Sequence, residues 1–94
     1  MNKYESVIII NPTVDEEGIK ALIAKFTEII NNAGKVESVD EIGKKKLAYE
    51  IMKQKEGYYA VFNFEAKSEL IAELERNYRI DDNIMKFITV KKEA

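Results

Sequence analysis

The sequence predicts an α+β fold with the element order β-α-β-β-α-β. Three observations carry this. Apolar residues recur at a period near 3.6 in two separate stretches, which reads as two amphipathic helices. Four other stretches are β-branched or aromatic and alternate at period two, or are too short and apolar for a helix. Turn and cap residues punctuate the boundaries, beginning with Asn11-Pro12 and Gly34.

The first strand is expected over Lys3–Asn11, through the apolar run Val7–Ile10, and closes at Asn11-Pro12. Thr13-Val14-Asp15-Glu16 fits a capping box, with Thr13 as the cap and Glu16 reaching back to it. The acids Asp15, Glu16 and Glu17 suit the positive end of the helix dipole. Ile19, Leu22, Ile23, Phe26, Ile29, Ile30 and Ala33 then share one helical stripe, and Gly34 is placed for a left-handed stop.

An extended segment runs from Lys35 to Lys53. Leu47, Tyr49 and Ile51 alternate in its second half, and Gly43 marks a bulge or bend. Gln54–Gly57 reads as the hairpin connection. In the next strand, Tyr58, Ala60, Phe62 and Phe64 face the core, while Tyr59, Val61, Asn63 and Glu65 face away. Ser68 is placed to cap a second helix with Leu70, Ile71, Leu74 and Tyr78 on its buried side. Asp81-Asp82-Asn83 breaks the chain before a last strand over Ile84–Lys92. Right-handed crossovers and one shared core favour a four-stranded antiparallel sheet with both helices on one face, the ferredoxin-like arrangement. A single domain over residues 1–94 is expected, because the length suffices for one core and not two.

Composition narrows the chemistry. There is no cysteine and no histidine, so disulfides, thiolate metal sites and the commonest general base are excluded. Serine occurs only at positions 6, 38 and 68, none within a G-x-S-x-G elbow. The loop after the first strand, Asn11-Pro12-Thr13, holds no arginine, which argues against acylphosphatase-like catalysis. Adjacent Asp81 and Asp82 read as turn formers rather than a metal site. No enzyme activity, cofactor or small-molecule substrate is expected. The opening MNKYESV places Glu5 where a signal peptide would begin its apolar region, and no run approaches the ~20 residues of a membrane span. The expected location is the cytoplasm.

Two binding readings remain. The stretch EGYYAVFNF, Glu56–Phe64, sits where RNA-recognition modules of this topology carry base-stacking aromatics. Against the pattern K/R-G-F/Y-G/A-F-V-x-F/Y, only Gly57, Tyr58 and Val61 agree, so a stand-alone single-stranded RNA binder is the alternative reading. The second signal is basic. Lys44, Lys45 and Lys46 precede the apolar half of the long strand, and Lys53, Lys55, Arg76, Arg79, Lys86, Lys91 and Lys92 follow. Net charge is −2, so an anionic partner must be held by a local patch. Lysines also decorate strand edges against aggregation, which accounts for part of the set.

Several strings occur in order: KYE at Lys3–Glu5, Asn11-Pro12, IGKKKLAYEI at Ile42–Ile51, GYY at Gly57–Tyr59, and ELERNYRIDDNIMKF at Glu73–Phe87. Together they closely resemble the bacterial small-subunit ribosomal protein S-six family, over essentially the whole chain. The resemblance implies the ferredoxin-like fold, no catalysis, and a cytoplasmic place on the ribosome. It further implies binding to the central domain of the small-subunit ribosomal RNA together with a small basic partner, ribosomal protein S-eighteen. On the same footing, Lys3, Lys45, Lys46, Lys53, Arg79, Lys86 and Lys91 become candidate contacts to the RNA backbone, and Tyr59 and Val61 candidate contacts to the partner protein. Ile42 stands where relatives often carry tryptophan, so aromatic stacking is not expected there, and the sequence ends at Ala94 where many relatives carry a longer tail.

Overall fold

A computed structural model describes residues 1–92; Ala94 falls outside them. The elements are β1 (Asn2–Ile10), α1 (Glu16–Ala33), β2 (Gly34–Ile51), β3 (Gln54–Ala66), α2 (Ser68–Ile80) and β4 (Ile84–Lys92). The strands form one antiparallel sheet in the order β2-β3-β1-β4. This is the expected ferredoxin-like architecture.

Register decides which residues share a face. Ser6 lies opposite Phe62, and Ile8 opposite Ala60, so these point the same way. Tyr4, Ile8 and Ile10 from β1 and Ala60, Phe62, Phe64 and Ala66 from β3 line the covered face. Ile19, Leu22, Phe26 and Ile30 of α1 and Leu70, Leu74 and Tyr78 of α2 pack down on them. Each Ile, Leu and Phe side chain among these, taken fully out of water, contributes about 1.5–3 kcal/mol.

Tyr78 ties the layers together. Its ring meets Phe26 edge-on at 4.7 Å and Phe87 at 5.2 Å between centroids. A buried hydroxyl needs a partner, and the Ser6 side chain supplies it at 2.9 Å. Ser6 also meets Thr89 at 3.1 Å, so the one buried polar residue of β1 joins α2 to β4. Burial pushes the Tyr78 phenol well above its ordinary pKa; the Ser6 hydrogen bond opposes this only in part.

Four local expectations are corrected. Asp15, not Thr13, caps α1, with its Oδ1 accepting from the Gly18 amide at 2.8 Å. Thr13 is engaged in the preceding turn, where its amide and hydroxyl both donate to Asn11 Oδ1, at 3.0 and 2.8 Å. Gly34 is not a left-handed stop. It lies in extended backbone (φ −167°, ψ −153°) and starts β2 directly, while Ala33 is exposed. The need for glycine there is steric: a Cβ would stand 2.3 Å from the Glu65 carbonyl oxygen and 2.7 Å from Ala66 Cβ. The β2–β3 turn is Met52-Lys53, both at positive φ (49° and 64°), and Ile51 pairs with Gln54. Gln54 and Glu56 therefore belong to the ladder, in a two-residue turn that lacks the usual Asn-Gly signal. Finally, Ser68 is the first helical residue of α2; Lys67 precedes it with no side-chain cap. Gly43 behaves as expected, at φ +99° beside a register shift.

Two predictions follow from this core. Because the folded-state pKa of Tyr78 is raised, its contribution is complete below pH ~10 and is lost as pH rises towards the folded value, by up to about 1.4 kcal/mol per pH unit. Urea unfolding between pH 9 and 11 should show a shallower loss for Tyr78→Phe, which at pH 7 should cost about 1 kcal/mol. A Gly34→Ala chain should lose about 1–3 kcal/mol in the same assay, because both colliding groups are held by the β3 ladder.

Candidate nucleic-acid and partner interface

With both helices on one side, the other face of the sheet is uncovered. Its rows follow from register. Lys92, Lys3, Glu65 and Lys35 form the first row, then Val90, Glu5, Asn63 and Ser38. Next come Ile88, Val7, Val61 and Asp40, then Lys86, Ile9, Tyr59 and Gly43. The face is thus polar at one end and apolar at its centre. Ile88 and Val90 are about half exposed, at 53% and 48%.

The polar end is internally satisfied. Lys92 Nζ donates to Asn63 Oδ1 and lies 3.9 Å from Glu5. Asn63 Nδ2 donates to Ser38 Oγ at 3.1 Å and approaches Asp40 at 3.4 Å. Lys3 stands 3.7 Å from Glu37. These exposed pairs contribute little to stability, with a typical value of ~0–1 kcal/mol. They do reduce the charge that two lysines present outward.

The hairpin end differs. Among the described residues, Lys44, Lys45, Lys46 and Lys53 have no carboxylate within ion-pair distance. Lys45 lies opposite Gly57 and so belongs to the uncovered face at the β2 edge; Lys46, opposite Glu56, points the other way. Lys53 occupies the turn itself. Gly57 is obligatory here too, since a Cβ would stand 2.3 Å from Ile9 Cγ2.

The remaining candidates are dispersed. Arg79, in the last turn of α2, sits 5.7 Å from the Phe87 ring centroid, on the helix side of β4. Lys91 lies opposite Tyr4 and points to that same side. Lys3 is six residues along β1 from Ile9, which lies opposite Lys86, a separation of about 20 Å. The seven basic candidates therefore fall into a hairpin group and a distal group. Tyr59 and Val61 do lie on the uncovered face, half-buried, as the alternation in β3 predicts.

Sequence reasoning placed Tyr49 in the sheet with Leu47. Instead, Leu47 turns onto the uncovered face against Gly57 and Ile9, and Tyr49 is 63% exposed. Lys86 Nζ donates to Tyr49 Oη at 3.0 Å, and that hydrogen bond raises the Lys86 pKa above its ordinary value. On the helix side, Tyr58 Oη donates to Glu41 at 3.0 Å; burial first, then this carboxylate, raises the Tyr58 pKa. Among the described residues, no cluster of three or more metal-ligating side chains occurs, and no helix is long and apolar enough to cross a membrane.

Comparison with known proteins is consistent along the chain. A family model described as Ribosomal protein S6 matches residues 3–91. The Small ribosomal subunit protein bS6 of Clostridium botulinum (strain Hall) is 51% identical over 94 residues, covering 99% of this chain and 100% of its own. That of Clostridium novyi (strain NT) is 51% identical over 94 residues, with 99% of each chain covered. Among solved structures, 30S ribosomal protein S6 from Thermotoga maritima superposes with a TM-score of 0.93 at 36% identity, covering 97% of this chain and 87% of that one. An Arabidopsis thaliana protein at TM-score 0.58 and 17% identity, covering 100% of this chain and 95% of its own, shares the fold alone.

Proposed function

Since the chain belongs to the ribosomal protein S6 family, we propose that it binds the central domain of the small-subunit ribosomal RNA together with ribosomal protein S-eighteen, acting as one domain over residues 1–94. It is a structural, non-enzymatic protein of the small ribosomal subunit in the cytoplasm. The observation that best supports the RNA reading is the run Lys44–Lys46 with Lys53, four cations on one hairpin that have no carboxylate within ion-pair distance among the described residues.

Cations fixed on a strand edge suit a phosphate backbone, which positions a protein without reading bases. Lys45, Lys46 and Lys53 carry most of this role, with Lys86 beside the apolar centre. Lys3, Lys91 and Arg79 lie farther away and meet phosphates only if the RNA wraps the sheet. In folded RNA such contacts follow shape and backbone rather than sequence. The apolar centre of the uncovered face, with Tyr59 and Val61, receives the partner protein through a hydrophobic patch with a polar rim. A net charge of −2 makes the chain alone a weak RNA binder, and a basic partner supplies the missing field.

Copurification at low and high salt tests the reading. The protein should travel with small subunits in low salt and be released as salt rises. In binding assays with S-eighteen present, Lys45→Ala plus Lys46→Ala should weaken central-domain RNA binding and lower the log–log salt slope by roughly 1.5. Equal affinity of the chain alone and of the pair, at equal salt, would sink the reading. Loss of binding in Tyr59→Ala with no effect of the lysine pair would point to a stand-alone single-stranded RNA module instead.

A further inference from the structure

Between Lys46, opposite Glu56, and Ile51, opposite Gln54, β2 contains four residues where β3 has only Lys55. The excess chain, Leu47–Glu50, has no register partner in β3, and its first residue packs onto the uncovered face. Leu47 anchors it. That side chain is 8% exposed, and its Cδ2 lies 3.5 Å from where a Cβ on Gly57 would stand, beside Ile9. Past Leu47, the residues Ala48, Tyr49 and Glu50 are all exposed.

Tyr49 nevertheless reaches the opposite edge of the sheet. Lys86 of β4 donates to its hydroxyl at 3.0 Å and stands 5.6 Å from its ring centroid. With Val7, Ile9, Tyr59 and Ile88, the same Lys86 borders a shallow depression of about 200 Å³ at the apolar centre of the face. The Tyr49 side chain of β2 and the Lys86 side chain of β4 thus meet across the surface proposed to dock a partner.

We infer that Leu47–Glu50 is a strap, hinged at Leu47 and latched by Tyr49 on Lys86, that bars the β2 side of the apolar centre in the free chain and must unlatch for a protein partner to dock. The inference rests on the proposed docking of S-eighteen on this face. The latch suits a reversible role because it is one hydrogen bond and one cation–π contact at an exposed site, both weak. The strap has no residue-for-residue partner in β3, and three of its four residues are exposed, which places it at the low-stability end of the fold. Opening releases two things at once: the apolar centre and the Lys86 ammonium.

Tyr49→Phe and Tyr49→Ala test this, and the exposed position makes both compatible with folding. By NMR on the free chain, backbone order parameters at Ala48–Glu50 should be near ~0.85 in the parent and below ~0.6 in Tyr49→Ala. Binding of purified S-eighteen should tighten about three- to tenfold in both variants, since the closed fraction no longer competes. A strap already mobile in the parent overturns the latch, and unchanged or weaker binding in both variants overturns the gate. If the parent binds no S-eighteen at all, the proposed partner falls and the docking half of the inference with it. The order parameters decide the latch in that case.

Discussion

The layers of the structure meet at the buried ring of Tyr78, whose hydroxyl also needs a partner. A phenol in an apolar core is tolerable only with a hydrogen-bond partner, and the Ser6 side chain on β1 provides one at 2.9 Å. Together with Leu70 and Leu74, the Tyr78 ring seats α2 over the sheet, and the hydroxyl pair pins it to β1. Phe26 and Phe87 pack on the same ring, so the axial position of α1 and the register of β4 are set with it. Both helices are thereby committed to one face. The uncovered second face is a consequence of that commitment.

Uncovered sheet faces are costly unless something occupies them. Here the polar end occupies itself: Lys92, Glu5, Asn63, Ser38, Asp40, Lys3 and Glu37 form a surface network in which most charges already have opposite neighbours. The hairpin end does the reverse: among the described residues, Lys44, Lys45, Lys46 and Lys53 have no carboxylate within ion-pair distance. Net charge conceals this division. A value of −2 averages neutralised lysines with unopposed ones, and only the latter can exchange counterions for phosphate. The block of lysines at the entry to a strand in an acidic chain is then unsurprising, since local field and total charge answer different questions.

Much of the fold was legible in sequence because alternation reports burial directly. Tyr58, Ala60, Phe62 and Phe64 against Tyr59, Val61, Asn63 and Glu65 gave the two faces of β3 without any tertiary information. The misreadings share one cause: they depend on what a residue meets elsewhere in the chain. Thr13 has the chemistry of a cap, but Asn11 and Pro12 draw it into a turn first. Gly34 looks like a helix stop, yet the β3 backbone passes too close for a side chain. Tyr49 continues the alternation of Leu47 and Ile51, but alternation holds only where strands pair one to one. Four residues against one is a property of the pair, invisible in either strand alone. For the candidate site, residue type and strand were legible, but the separation of Lys3 and Lys91 from the hairpin lysines emerges only from the register.

The same bulge explains why one surface can serve both RNA and protein recognition. A regularly paired β2 would hold Tyr49 within the sheet plane at its own edge, three strands away from Lys86. The extra residues break the one-to-one register after Lys46, so the cations before it remain on a paired edge while the Tyr49 side chain after it reaches the Lys86 side chain of β4. Charge recognition needs the rigidity, because lysines held in place need less ordering when they meet a partner. Apolar recognition needs the reverse, since an apolar centre around Val7, Ile9 and Ile88 is a docking surface whose access a movable neighbour can set. Ending the ladder at Lys46 meets both demands. It makes the boundary between Lys46 and Leu47 the point where a fixed element becomes a movable one.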